Sequence, residues 1–101
     1  MTDEKIRFAM AMRIGRAALG MSQQEFADAL EVAKSTVARN ETLDMAMRAD
    51  TLTAMLRVLR EHGIEIDVLG SPTSLDIKVS QDALSEAAKR LGKEKAVAKK
   101  R

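Results

Sequence analysis

A chain of 101 residues with 46% hydrophobic residues, two aromatics (Phe8 and Phe26) and no cysteine has room for one small domain with a modest core of Leu, Ile, Val, Met and Ala. That composition favours helices, and the lack of cysteine excludes disulfides and thiolate metal sites. The net charge of +2 is unevenly spread, because KEKAVAKKR at residues 93–101 carries +4 and leaves −2 on the body, so global charge says little about a nucleic-acid partner.

Taken in chain order, the first expected element is a helix over residues 5–19, with Ile6, Met10, Ile14 and Ala17 recurring at helical spacing. Gly20 ends it. Ser22 then offers a hydroxyl to the orphan amides of a second helix, with Glu25 and Asp28 near its positive end. In that helix Phe26, Ala27 and Leu30 share one face, Val32 sits in a corner, and Val37 returns to the same interior from a third helix. Two short helices folded across a tight corner are the helix-turn-helix signature. Ala27 lies where the two should approach most closely.

Residues 42–47 read as a loop containing Met45 and Met47, and residues 49–61 as a further helix with Leu52, Met55, Leu56 and Leu59 on one side, stopped by Gly63. The period then changes from helical to alternating. Ile64, Ile66 and Val68 alternate with Glu65 and Asp67, and Leu75, Ile77 and Val79 with Asp76 and Lys78, while Gly70 and Pro72 supply a turn, so an antiparallel hairpin is expected. A last helix over residues 81–91, capped by Ser80 and stopped by Gly92, carries Leu84, Ala87, Ala88 and Leu91 as a narrow apolar stripe. The KEKAVAKKR tail reads as a solvated, disordered extension, or as a weak phosphate-attracting arm.

Arg16, Gly20, Met21, Ser22 and Gln23, followed by Val32, Ser35, Thr36, Val37, Arg39 and Glu41, and by Arg48 to Leu52 opening the next helix, resemble the lambda-repressor-like (Cro/Xre-type) helix-turn-helix family over about residues 12–66. The resemblance implies a mainly α fold, a lambda-repressor-like helix-turn-helix bundle, to which the sequence adds a C-terminal β-hairpin and a final helix. The corresponding division is a DNA-binding domain over residues 1–63, a hairpin plus helix over residues 64–92 for dimerisation or partner binding, and the basic tail at residues 93–101. Three positions depart from the family's pattern. Glu31 replaces the corner glycine, at a cost of about 1 kcal/mol in a left-handed conformation. Ala33 replaces the cap of the recognition helix, and Asn40 occupies a usually apolar position, where a buried unpaired amide costs about 1–3 kcal/mol.

The resemblance places Lys34, Ser35 and Arg39 on the groove-facing side of the recognition helix, and Gln23 and Thr36 against phosphates; Arg48 joins them as a DNA-binding candidate. The chemistry suits those roles, since Arg39 can grip guanine O6 and N7 with two hydrogen bonds, Lys34 can reach the same acceptors or a phosphate, and Gln23 can add its amide to a helix N-terminus. Because the body carries a net negative charge, a DNA-binding face must arise from local clustering of Arg7, Arg13, Arg16, Lys34, Arg39 and Arg48. The resemblance also implies an ion pair between Arg16 and Glu41.

The implied function is a sequence-specific DNA-binding transcriptional regulator, a dimeric repressor that puts residues 34–41 into the major groove. Its partners would be double-stranded DNA and a second copy bound through residues 64–91. The ribbon's apolar face must be covered either by the chain's own helices or by that second copy. Two further readings are an antitoxin that represses its own operon while masking a toxin, and a protein-interaction module that has lost DNA binding. No enzymatic motif, metal-ligand spacing or cofactor site is present in the sequence, and His62 stands at a helix end where terminal carbonyls are the expected partner. No secretory segment and no apolar run of about 18 residues occurs, which points to a cytoplasmic protein without a membrane partner.

Overall fold

The computed structural model describes the backbone of residues 3–99 and the side chains of residues 4–93. Its elements are α1 (Asp3–Leu19), α2 (Gln23–Leu30), α3 (Lys34–Glu41), α4 (Ala49–Glu61), β1 (Ile64–Asp67), β2 (Asp76–Val79) and α5 (Gln81–Lys99). Phe26, Ala27 and Leu30 from α2, Val37 from α3, Ala11 and Met12 from α1, Met55, Val58 and Leu59 from α4, and Ile64, Ile66 and Val68 around β1 form one core. The described residues include no helix long and apolar enough to cross a membrane.

Local chemistry sets the corners. The Ser22 hydroxyl accepts the Glu25 amide at 3.1 Å while the Glu25 carboxylate accepts the Ser22 amide at 2.9 Å, a reciprocal box that starts α2. These bonds, the one from the Ser22 backbone foremost, hold the Glu25 carboxyl below its ordinary range. At the other end Glu31 takes the left-handed conformation, with φ 61°, that a glycine usually fills. The amides of Glu31 and Val32 then return to the Asp28 and Ala27 carbonyls, closing the helix. Gly20, with φ +67°, ends α1 by the same pattern onto Arg16 and Ala17.

The buried side of α1 differs from the expected series. Ile6 and Met10 are 40% and 46% exposed, Ala17 is exposed, and the inward residues are Phe8, Ala11, Met12, Gly15 and Leu19. Apolar residues surround much of α1, so more than one stripe satisfies helical spacing and packing selects between them. The selected face contains Gly15, where an added Cβ would lie 2.7 Å from Leu59 Cδ1. Glycine there lets α1 and α4 approach closely.

The hairpin forms with Ile64 opposite Val79, Glu65 opposite Lys78, Ile66 opposite Ile77 and Asp67 opposite Asp76. Its apolar face is divided. Ile64, Ile66 and Val68 are buried against the chain's own helices, whereas every residue of β2 is exposed, with Ile77 and Val79 at 38% and 40%. Arg7 secures the turn by donating from Nη1 to the carbonyls of Val68 and Ser71. Arg7 therefore leaves the basic cluster expected for a DNA-binding face.

The last helix does not stop at Gly92, and residues 93–99 of the tail expected to be disordered are helical, with Lys100 and Arg101 outside the described residues. A glycine inside a helix costs about 1 kcal/mol relative to alanine, which good helix formers on both sides can offset. Gly92 lacks the positive φ that terminates α1 at Gly20. Arg90 fastens α5 to the body by donating to the Ala18 carbonyl at 3.1 Å.

Two polar side chains of α3, Glu41 and Asn40, are buried. Arg16 donates to Glu41 through Nε at 2.7 Å and Nη2 at 2.9 Å, and to the Met21 carbonyl through Nη1 at 3.0 Å. The Glu41 side chain is 1% exposed and that of Arg16 23%. Glu41→Ala should lower the unfolding free energy in urea by about 2–3 kcal/mol, less than the penalty for a fully buried pair because the Arg16 guanidinium keeps some access to water. Asn40 is 2% exposed; its Nδ2 donates to the Met45 carbonyl at 3.2 Å, but its buried Oδ1 has no partner. Asn40→Leu should therefore be neutral or raise stability by about 1 kcal/mol in the same measurement, since it removes an unpaired acceptor from the core.

Candidate nucleic-acid interface

The face of α3 turned away from the core is built by what holds the opposite face. Val37, Asn40 and Glu41 are buried, and helical geometry then puts Lys34, Ser35, Ala38 and Arg39 outward. Lys34, Ser35 and Arg39 are exposed, and Thr36 and Ala38 are half-buried at the margins. Ala33 gives α3 no side-chain cap. Ser35 does not substitute for it, so the Ser35 hydroxyl stays on the outer face without a partner among the described residues. A short helix without a capping side chain is marginal alone and depends on tertiary packing.

Gln23 opens α2 beside α3. Its Nε2 donates to Glu41 Oε1 at 3.2 Å, so Glu41 is shared by α1, through Arg16, and by α2, through Gln23. A side-chain amide carries two hydrogens, and the second remains available to another acceptor. The Ser22 hydroxyl takes the Glu25 amide and the Ser22 carbonyl takes the Phe26 amide, which leaves the Gln23 and Gln24 amides at the positive end of α2. Outward amides at a helix start suit an anionic oxygen. Hydrogen bonding to Glu41, the largest cause, raises the Arg16 pKa further above its ordinary value against the opposing effect of burial. Arg16 is thus a fixed structural cation and not a mobile phosphate ligand. Arg13 donates from Nη1 to the Glu41 carbonyl at 3.4 Å, at the end of α3.

Two aspartates, Asp44 and Asp50, bear directly on the site. Arg39 Nε donates to Asp44 Oδ2 at 2.9 Å, and Arg48 Nε to Asp50 Oδ1 at 3.3 Å. Residues five and two apart do not follow the helical pairing rule, so nothing in the spacing advertised these partners. The loop supplies the first: Leu43 adopts a left-handed φ of 65°, and the Asp44 and Met45 amides fold back onto the Arg39 carbonyl at 3.0 and 3.2 Å. Both pairs are more than half exposed, where such contacts contribute about 0–1 kcal/mol and other acceptors can displace them. Arg48 occupies the N-cap position of α4 without capping it. Of the six basic residues expected to cluster, Lys34, Arg39 and Arg48 remain on the surface with weak or no pairing, Arg13 is exposed with one long bond to the Glu41 carbonyl, and Arg7 and Arg16 are committed to the fold.

His62 lies at the end of α4, where its Nδ1 is 2.9 Å from the Val58 carbonyl, the terminal-carbonyl contact expected of it. Among the described residues no group of three or more His, Asp or Glu side chains is arranged to hold a metal ion.

Comparison with curated proteins and with solved structures returns no match. The helix-turn-helix family model matches residues 12–66, a span that begins in α1, contains α2, α3 and α4 and ends in β1. With more than half the chain matched and the two-helix motif formed around the shared core, the protein belongs to the Cro/C1-type helix-turn-helix family and is a DNA-binding regulator of that kind.

Proposed function

We propose that this protein is a sequence-specific transcriptional repressor that binds its operator as a homodimer through residues 64–91. In this reading α3 enters the major groove, Lys34, Ser35 and Arg39 meet base edges, and Gln23, Thr36 and Arg48 hold the phosphate backbone. One observation carries the base-reading assignment: Val37 and Glu41 fix the inner side of α3, while Lys34, Ser35 and Arg39 owe nothing to the core. The Gln23 amide supports the backbone role, because Glu41 holds it at the start of α2 with a hydrogen to spare.

Electrostatics favour selectivity over raw attraction. Asp44 and Asp50 sit beside Arg39 and Arg48, two of the three cations assigned here to DNA contact, and the body outside residues 93–101 carries a net negative charge. Arg39 must exchange Asp44 for guanine, a trade that costs little in water and is recovered only where two acceptors are presented together.

Selection of bound fragments from a random DNA pool, followed by footprinting, should yield an inverted repeat whose half-sites lie about one helical turn apart. Arg39→Ala should cost about 1–3 kcal/mol on that site and relax preference at one base pair per half-site. Asp44→Asn should raise affinity for random DNA more than for the selected site. Equal losses on selected and random DNA for Arg39→Ala would remove Arg39 from base reading. A protein retained on no DNA at low salt would end the repressor proposal in favour of an interaction module.

A further inference from the structure

α5 lies over the body without closing on it. Among residues 81–93 only Ala83, Ala87 and Arg90 are half-buried, and their spacing sets them on one inward stripe of the helix. The stripe touches down at both ends. A Cβ built on Gly63 would lie 3.1 Å from Ala83 Cβ, and one built on Gly20 would lie 2.5 Å from Arg90 Nη1. Ala83 and Arg90 are seven residues apart, about 10 Å along a helix, and between them α5 bridges an open cleft of about 650 Å³. Alanine side chains are too short to fill it. Leu19 and Met21 from the end of α1, and Val79 from β2, give the cleft an apolar wall. That volume and an apolar wall beside a few polar groups are the properties of a small-molecule site.

The charges in the cleft are sorted by sign. At the Gly63 end stand Glu61, the last residue of α4, and Asp82, in the first turn of α5. Neither carboxylate has a side-chain hydrogen bond or ion pair among the described residues, and Glu61 faces the negative end of its own helix, where a cation is favoured. At the Gly20 end stands Arg90. It spends Nη2 on the Ala18 carbonyl at 3.1 Å and keeps the hydrogens of Nε and Nη1, a pair of donors suited to a carboxylate. The other ionised side chains lining the cleft, Arg60 and Glu86, are one of each sign.

We propose that this cleft binds an elongated zwitterion, an apolar body with an ammonium group at one end and a carboxylate at the other. The carboxylate meets Arg90, the ammonium meets Glu61 and Asp82, and the body lies along Leu19, Met21 and Val79 beneath Ala83 and Ala87. A ligand with one charge would leave one end of the cleft unanswered. An ω-amino acid and a short apolar peptide share this chemistry, and an extended tripeptide also spans about 10 Å. Because the end of α1 and the end of α4 form one side and α5 the other, an occupant ties the last helix to the helix-turn-helix body.

The test is titration of the full-length chain with 8-aminooctanoate and with trialanine, followed by calorimetry and by the NMR shifts of the Met21 and Leu19 methyl groups. At least one should bind saturably with a Kd on the order of 1 mM or tighter, and octanoate and octylamine, each lacking one charge, should bind about tenfold more weakly than 8-aminooctanoate. Glu61→Gln combined with Asp82→Asn should erase the preference for 8-aminooctanoate over octanoate while leaving octanoate binding unchanged. Ala87→Leu fills the cleft and should abolish binding, whereas Ala88→Leu, on the exposed side of α5, should not; circular dichroism confirms that both fold. Tighter binding of trialanine identifies a peptide as the ligand, and tighter binding of 8-aminooctanoate identifies an aliphatic chain; either upholds the site. No saturable response up to about 10 mM, single-charge probes that bind as well as the zwitterions, or equal behaviour of Ala87→Leu and Ala88→Leu would overturn the proposal. None of these measurements uses DNA, so the outcome is independent of the repressor reading.

Discussion

Glu41 is the constraint on which the rest of the structure depends. A carboxylate with a side chain 1% exposed must be compensated, and three helices supply the means: Arg16 from α1 with two hydrogen bonds, Gln23 from α2 with one, and α3 itself, which carries the acid. Hydrophobic burial is tolerant of direction, and a core of Phe26, Leu30, Val37 and Met55 could accommodate small rotations of α3. A bidentate pair is not tolerant in that way. It fixes the roll of α3, and with it the face on which Lys34, Ser35 and Arg39 stand.

Fixing that roll matters because α3 has little stability of its own. It is eight residues long, its first position follows an alanine that caps nothing, and one buried position is an asparagine whose oxygen has no partner. Such a helix persists by docking, and its end is held by a loop in which Leu43 adopts an uncommon left-handed conformation. The start of the helix thus gives up local stability, while Val37 in its middle and Glu41 at its end anchor it. The same loop brings Asp44 to Arg39, so the segment that finishes the helix also adjusts the charge on its outer face.

The chain beyond α4 follows a different logic. β1 belongs to the core, since Ile64, Ile66 and Val68 complete the interior begun by α1 and α4. β2 and α5 are attached to that frame mostly through β1, Arg90 and small residues such as Ala83, and they carry the exposed apolar side chains Ile77, Val79, Leu84 and Leu91. A unit that is half core and half surface can present an interface without loosening the DNA-binding half.

The sequence by itself determined the features whose cause is local. Ser22 with Glu25 starts a helix, Gly20 and Gly63 end helices through positive φ, and alternation over residues 64–68 and 75–79 makes a hairpin; in each case the residues concerned act on near neighbours. The two-helix motif was legible for the same reason, since Phe26, Ala27, Leu30 and Val37 repeat at spacings that define one interior, and the Arg16–Glu41 pair followed from family resemblance. Tertiary structure alone decided which stripe of α1 faces inward, because several were apolar and only the one with Gly15 admits Leu59. It also sent Arg7 across more than sixty residues to the hairpin turn, paired Arg39 and Arg48 with aspartates at spacings no helix rule foresees, and carried α5 past Gly92. Those outcomes depend on which groups meet in space, and a glycine or an arginine has the same letter whichever neighbour it finds.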